Sequence, residues 1–209
     1  MQKTLVLVSG PSGVGKSTLR LQLRNELGKY FDNKIAGIDV DDVYCFIDPK
    51  FSAPNYMELW EKARKNTGSI ARQLLNNGID VVFVFGNTIF KEEQIMDILG
   101  EIQLDAPVNI LHFTLSPNRA VLEKRLIKRQ YSVPLWLDDH LAERRPYLNE
   151  QWTHLLDTSD MTPEQTLTYI YENMNLNSSM KKHEQAKKGK FLKLLEMLKD
   201  KNYSERLLP

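Results

Sequence analysis

The sequence has one cysteine, almost no excess charge and no long hydrophobic run. Because Cys45 stands alone among 209 residues, neither an internal disulfide nor a cysteine-based zinc site can form. Lys and Arg number 28 against 27 for Asp and Glu, a formal charge of +1. This balance supplies no overall basic field that would make nucleic acid or an anionic membrane an obligatory partner. Cysteine usage favours a reducing compartment, so we expect a cytoplasmic protein.

Long apolar segments are also missing. No stretch approaches the roughly 18 apolar residues that a membrane-spanning helix needs. The first apolar run, Leu5 to Val8, stops at Gly10 and Pro11, short of the roughly 7 to 15 residues of a signal peptide's apolar region. We therefore expect no membrane partner.

What the sequence does contain is an alternation of strand and helix patterns. Buried-strand runs are predicted at residues 5–8, 34–40, 79–85, 109–115 and 154–157, and helical patterns at 16–28, 56–77, 92–103, 117–130 and from 163. Such alternation predicts an α/β fold, with a parallel sheet of about five strands and helices on both faces. At about 150 residues per domain, the length predicts one domain with an appendage.

The composition changes near residue 173. Residues 175–209 hold eight Lys and one Arg against four acidic residues, a net charge of +5, which leaves −4 on residues 1–174. Phe191, Leu194, Leu195 and Leu198 follow helical spacing. We predict one domain at 1–172 and a Lys-rich amphipathic helix within 173–209, suited to docking, a homodimer contact or nucleic acid.

A phosphate-binding loop follows the first strand. Residues 10–17 read GPSGVGKS and satisfy G-x-x-x-x-G-K-[ST] between a predicted strand and a predicted helix. Inward backbone N–H groups and the helix N-terminus bind phosphate, Lys16 reaches the terminal phosphates, and the Ser17 hydroxyl ligates Mg²⁺. The predicted nucleotide-binding residues are Gly10, Pro11, Ser12, Gly13, Val14, Gly15, Lys16, Ser17 and Thr18.

Carboxylates follow the second predicted strand, in IDVDDVY at residues 38–44. Ligands of open α/β sheets lie beyond the carboxyl ends of the strands, so Asp41 is our candidate general base. Asp39, Asp41 and Ser17 are the candidate Mg²⁺ shell. The alternative is that Asp41 or Asp42 merely caps the next helix.

The third predicted strand runs VVFVF into Gly86-Asn87-Thr88 and ends without an acid. Many nucleotide-binding enzymes with this loop place an Mg²⁺-contacting Asp there. Asn87 either orients a phosphate or the acceptor, or serves the turn.

Two arginines recur with helical spacing in VLEKRLIKRQ, residues 121–130. Arg125 and Arg129 share one helical face, where their guanidiniums would neutralise the charge of a transferring phosphoryl group. Arg144 and Arg145 belong either to a closing lid or to surface ion pairs.

These motifs together, GPSGVGKST, IDVDDVY, RLIKR and HLLDTSDMTPEQT, resemble the small P-loop kinases that include polynucleotide 5′-hydroxyl kinases, zeta toxins, gluconate kinases and antibiotic phosphotransferases. The resemblance covers residues 1 to about 172 and implies ATP as donor and Mg²⁺ as cofactor. It implies that Asp41 is the general base, that Arg125 and Arg129 form the lid pair, and that Thr158 and Ser159 line the adenine pocket.

The chain also departs from the polynucleotide kinase pattern. Tyr44 replaces an Arg after the acidic pair, and Phe85-Gly86-Asn87-Thr88 replaces Asp-x-Thr-Asn. An aromatic at residue 44 would favour stacking or a neutral hydroxyl compound. Trp60, Trp136 and Trp152 fit a core or interface role better than an acceptor platform.

We therefore expect an ATP- and Mg²⁺-dependent kinase that transfers the γ-phosphoryl group to a hydroxyl of a small molecule or a polynucleotide end. The alternative is a P-loop NTPase that hydrolyses or senses nucleotide in a regulatory or nucleic-acid-processing role.

Overall fold

The computed structural model describes residues 2–102, 107–129, 132–133 and 135–179, with side chains of the last helix described to residue 174. Five parallel strands form one sheet in the order β2-β3-β1-β4-β5, which confirms the predicted sheet. The strands are β1 (Thr4–Ser9), β2 (Ile35–Asp39), β3 (Val81–Gly86), β4 (Asn109–Leu115) and β5 (His154–Leu156). The helices are α1 (Lys16–Leu27), α2 (Val40–Ile47), α3 (Tyr56–Asn76), α4 (Glu92–Leu99), α5 (Arg119–Lys128), α6 (Leu137–Arg144) and α7 (Pro163–Ser179), with 3₁₀ turns at Gly28–Tyr30 and Arg145–Tyr147.

The centre of the sheet is covered on both faces. Every residue of β1 and β3 is buried, and successive side chains of a strand point to opposite faces. Their continuous apolar runs are therefore explained by burial on two sides. The lateral strands β2 and β5 contain exposed residues.

Strand register brings the predicted functional segments to one edge. Ser9 at the end of β1 pairs in register with Gly86 of β3 and with Thr114 of β4, and Asp39 of β2 pairs with Phe85. Because adjacent strands lie about 4.8 Å apart, the residues that follow β2, β3 and β1 meet beyond this edge.

One boundary differs from the sequence prediction because of a helix cap. We predicted that the second strand reaches Val40, but it ends at Asp39, whose side chain accepts a hydrogen bond of 3.1 Å from the N–H of Asp41. An Asp at this position satisfies a free N–H of the first helical turn, so α2 begins at once.

The helix predicted from residue 117 also starts later. The side chain of Asn118 accepts from the N–H of Val121 at 2.9 Å, so α5 begins at Arg119 and Pro117 precedes it. The segment 56–77, predicted as one helix or two, is a single helix ending at Asn76, and α4 ends at Leu99 rather than at residue 103.

The chain divides into two compact units, Met1–Tyr171 and Glu172–Pro209. The apolar positions of the predicted amphipathic tail, residues 191–198, lie outside the described residues. In the described part of the chain, no helix is both long and apolar enough to cross a membrane.

Candidate active site

The predicted phosphate loop joins β1 to α1 and depends on glycine. Gly10 has φ +148°, and a Cβ there would lie 2.7 Å from the carbonyl oxygen of Leu115 on β4. Gly15 caps α1 with φ +109°, and a Cβ on it would meet open space. The loop is thus pressed against the sheet at one end and open at the helix N-terminus, where backbone N–H groups and the helix dipole favour an anion.

Lys16 extends back over this loop. Its ammonium donates to the carbonyl oxygens of Gly10 at 2.7 Å and Pro11 at 3.1 Å, and the residue is buried. Burial lowers the pKa of Lys16 to about 8, while the charges of Asp41 and Asp39 oppose the shift. The ammonium and the carboxylates at the end of β2 therefore share one electrostatic environment.

The three acidic residues at the end of β2 and the start of α2 differ in burial and in their hydrogen-bond and ion-pair partners. Asp39 is buried and caps α2 through its carboxylate, so the alternative in which Asp41 or Asp42 is the cap is wrong. Asp42 forms an ion pair with Arg20 of α1 and is exposed. Asp41 has a buried carboxylate oxygen, Oδ1, to which no group in the described part of the chain donates.

Burial also changes how readily these carboxylates accept a proton. It raises the pKa of Asp41, and the neighbouring charge of Asp39 raises it further, while Lys16 acts in the opposite direction. Burial likewise raises the pKa of Asp39. A carboxylate with a raised pKa and a free oxygen is suited to take a proton from an approaching hydroxyl.

Asn87, the residue after β3, connects the phosphate loop with α6. Its carboxamide oxygen accepts from a guanidinium nitrogen of Arg144 at 2.7 Å and lies 3.1 Å from Nε2 of His140. Its NH₂ group lies 3.4 Å from the hydroxyl oxygen of Ser12. The end of β3 thus presents an amide rather than an acid.

Arg144, predicted to belong either to a lid or to a surface ion pair, is buried, which rules out the surface ion pair. The residue is 3% exposed, donates to the backbone carbonyls of Asn87 at 2.6 Å and His140 at 3.0 Å, and stacks on Phe90 at 4.1 Å. Burial lowers the pKa of Arg144 to about 10. No sequence motif predicts that Arg144 is buried, because an Arg on a short polar helix is ordinarily exposed to solvent.

A cleft of about 390 Å³ lies beside the phosphate loop, a volume within the range of small-molecule sites. Arg125 crosses it, donating to the carbonyl oxygens of Thr158 at 2.7 Å and Val14 at 3.2 Å. Thr158 is buried, and its hydroxyl has no partner among the described residues. Arg129 also lines the cleft but caps the end of α5.

Ser159, predicted to line the same pocket, is engaged elsewhere. Its hydroxyl donates to the carboxylate of Asp157 and accepts from the N–H of Asn118 at 2.8 Å. The side chain therefore braces the start of α5 against the loop after β5.

The candidate Mg²⁺ ligands are oxygens, the type that this cation prefers. Ser17 is exposed at the first turn of α1, and Asp41 carries the free buried oxygen described above. No group of three His, Cys, Asp or Glu residues in the described ranges forms a metal-binding cluster.

Tyr44 is not available to an acceptor, contrary to the expectation from its aromatic character. It is 1% exposed and stacks between Phe51 and Trp60, with ring centroids 4.9 Å and 4.1 Å away. Its position on α2 faces the interior, so the residue packs α2 onto α3.

The other tryptophans also pack against neighbours. Trp152 lies edge-on to buried His112 at 5.0 Å, and Trp136 lies edge-on to His140 at 5.2 Å with 49% of its surface exposed.

The comparisons with known proteins agree with this geometry. A family model described as an AAA domain matches residues 5–144. No curated protein matches the sequence.

Among solved structures, the tunicamycin resistance protein of Deinococcus radiodurans superposes with a TM-score of 0.58 at 19% identity, covering 83% of this chain and 96% of that chain. For shikimate kinase from Aquifex aeolicus, the TM-score is 0.54 at 17% identity, covering 84% and 98%. For thymidylate kinase from Candida albicans, it is 0.54 at 16% identity, covering 85% and 93%. At these identities the likeness establishes the fold, which is that of the small P-loop kinases.

Proposed function

The chain belongs to the AAA domain family whose model spans residues 5–144, and on that premise we propose that it is an ATP-dependent kinase acting on a hydroxyl group. The donor phosphates lie on the loop Gly10–Ser17, and the base and ribose occupy the cleft crossed by Arg125. Thr158, with its free buried hydroxyl, faces the base. The cleft and the loop are continuous, since Gly13, Val14 and Gly15 line both.

The observation that carries the proposal is the buried oxygen of Asp41 at the edge of the sheet that holds the phosphate loop, since no described residue donates a hydrogen bond to it. In the proposed step this oxygen takes the proton of the acceptor hydroxyl. The acceptor oxygen forms a bond to the γ-phosphorus while the bond from that phosphorus to the β-bridging oxygen breaks, and ADP leaves.

Lys16, Arg125 and Arg129 supply positive charge to the transferring group. Lys16 lies over the loop, and the arginines approach from the end of α5. Such fixed cations stabilise charge that spreads over the phosphoryl oxygens. Arg125 also holds the cleft closed toward Thr158, so it serves both binding and catalysis.

Mg²⁺ is the proposed cofactor, held by Ser17 and Asp41, with Asp39 as a further oxygen near the same strand end. Mg²⁺ held by these residues would neutralise negative charge on the phosphates. Asp39 keeps one oxygen on the N–H of Asp41 and thereby fixes the first turn of α2, which positions Asp41.

A small acceptor agrees with the structural neighbours. Proteins of the same fold are named as kinases of shikimate, a sugar and thymidylate, which are small molecules. A polynucleotide end remains the other acceptor within the proposal, and it requires phosphate contacts that give steep salt dependence. The proposed setting is the cytoplasm, with the C-terminal segment as a docking or dimer contact.

The decisive experiment supplies γ-labelled ATP and Mg²⁺ with separate pools of sugars, nucleosides, aminoglycoside-like alcohols and oligonucleotides. Label in an acceptor that vanishes with Asp41→Asn supports the kinase. Label released only as inorganic phosphate, at a rate no pool alters, contradicts it and favours the NTPase alternative.

A further inference from the structure

The amide of Asn87 is fixed in one orientation by its contacts with Arg144 and His140 of α6. Arg144 donates to Oδ1 at 2.7 Å, and Nε2 of His140 lies 3.1 Å from the same oxygen. A guanidinium can only donate, so the opposite assignment of the amide would set two donors against each other. The NH₂ group therefore points away from α6, toward Ser12 of the phosphate loop, 3.4 Å away.

This orientation is maintained by a buried side chain. Arg144 is 3% exposed, and besides the amide oxygen it holds the backbone carbonyls of Asn87 and His140 and the face of Phe90. Burying a guanidinium is costly unless it is well paired. The arrangement fixes the end of β3 and the end of α6 together.

The strand register places Asn87 between the phosphate loop, which would bind the nucleotide, and Asp41, which would accept the proton of the acceptor hydroxyl. Ser9 pairs with Gly86, so Asn87 follows β3 as Gly10 follows β1, and Asp39 pairs with Phe85 on the other side. Asn87 thus lies between the phosphate loop and the segment that carries Asp41. Next to it, the hydroxyl of Thr88 is buried without a partner in the described part of the chain.

We propose that Asn87 binds the terminal phosphoryl group of the nucleoside triphosphate through its NH₂ group, and that Arg144 is the positioning residue that aims it. This inference rests on the proposed nucleotide site. The proposal also explains why β3 is not followed by an acid. A carboxylate in this orientation would place negative charge next to the phosphate, whereas the amide presents an N–H donor to it.

The variant that separates this role from a structural one is Asn87→Asp. A carboxylate still accepts from Arg144 and His140, so the contacts that hold α6 to β3 are kept, while the donor is lost and a negative charge takes its place. Asn77→Asp is the matched control, because Asn77 lies at the exposed end of α3 and its amide donates only locally, to the Gln73 carbonyl.

Calorimetric titration of the full chain with a non-hydrolysable ATP analogue and with ADP gives the readout. We expect Asn87→Asp to weaken the triphosphate analogue by at least about ten- to a hundredfold, the size of a lost hydrogen bond to a charged group. ADP affinity should change less than about twofold, since ADP lacks the terminal phosphoryl group. Arg144→Met, which keeps much of the side-chain bulk but has no donor for either oxygen of Asn87, should produce a smaller loss of the same selectivity.

An equal loss of triphosphate and diphosphate affinity, or no loss of either in a variant whose melting temperature matches the wild type, overturns the role of Asn87. These results are independent of phosphoryl transfer. A wild type that binds the analogue and hydrolyses ATP without labelling any acceptor contradicts the kinase and leaves the role of Asn87 standing. A wild type that binds neither nucleotide overturns both.

Discussion

Arg20 on α1 forms an ion pair with Asp42, and this contact separates the roles of two adjacent carboxylates. Asp42 is drawn to the exposed side of α2, while Oδ1 of Asp41 stays buried and unpartnered among the described residues. A substitution of Asp41 therefore tests the proposed general base, and the same substitution of the adjacent Asp42 is its control.

Asp41→Asn should lower turnover by about 10² to 10⁴, the usual contribution of a general base, with little change in ATP affinity. Asp42→Asn should have a small effect on turnover, since exposed ion pairs contribute about 1 kcal/mol or less. Steady-state kinetics and nucleotide titration measure both. A loss of ATP affinity in Asp41→Asn, with unchanged turnover at saturation, would contradict the general-base role and leave Asp41 as a metal ligand only.

Lys16→Ala should abolish nucleotide-dependent activity while the protein stays folded, because the ammonium contacts only two loop carbonyls. Lys65→Ala, which removes an exposed partner of Glu61, is the control. Labelled-ATP consumption and circular dichroism are the measurements. Undiminished ATP consumption by Lys16→Ala would contradict the assignment of the phosphate loop.

Arg125→Ala should lower turnover, because the charge of Arg125 acts on the transferring group. It should also weaken ATP and ADP by similar factors, about tenfold for a guanidinium packed on a base, because Arg125 bridges Val14 and Thr158 at the cleft. Lys124→Ala, on the exposed side of the same helix, should bind both normally. A loss of affinity for ATP alone, with ADP bound normally, would contradict the role of Arg125 in the base-binding cleft.

His112 should make stability depend on pH. Burial lowers the pKa of His112 to about 4 from an ordinary 6.5. Between these pH values His112 is therefore protonated in the unfolded chain but neutral in the folded protein. The stabilisation is complete above pH 6.5 and falls as the pH drops toward 4, by roughly 3 kcal/mol in all.

The comparison variant is His112→Gln, whose amide can still donate to the Ile89 carbonyl as Nε2 of His112 does. Urea unfolding at several pH values should show a steeper acid loss in the wild type than in this variant. Parallel curves between pH 7 and 4 would show that His112 titrates normally in the folded protein.

Local patterns were sufficient for the five strands, for most of the helices and for the loop, but they did not predict α6 (Leu137–Arg144). The apolar run at 109–115 coincides with β4, and Pro163 opens α7, because buried strands and helix starts depend on neighbouring residues. The phosphate loop was readable for the same reason: its glycines, lysine and serine occupy fixed positions along one short segment.

Contacts between segments distant along the chain could not be predicted from local sequence patterns. Burial of Tyr44 under Phe51 and Trp60 reverses the expectation drawn from its place after the acidic pair. The choice of Asp39 as the cap of α2 depended on where β2 stops, one residue earlier than the apolar pattern indicated.

The sequence by itself determined that a strand, a glycine-rich turn and a helix form an anion site at residue 10, because each depends on interactions within a few residues. Only the tertiary structure decided that β3 lies between β1 and β2, and that Arg144, 57 residues from Asn87 along the chain, fixes its amide. Strand order and buried polar contacts arise from packing the whole sheet and its helices. A polar group that is buried there must find a hydrogen-bond partner, and that partner can come from a part of the chain that local spacing does not indicate.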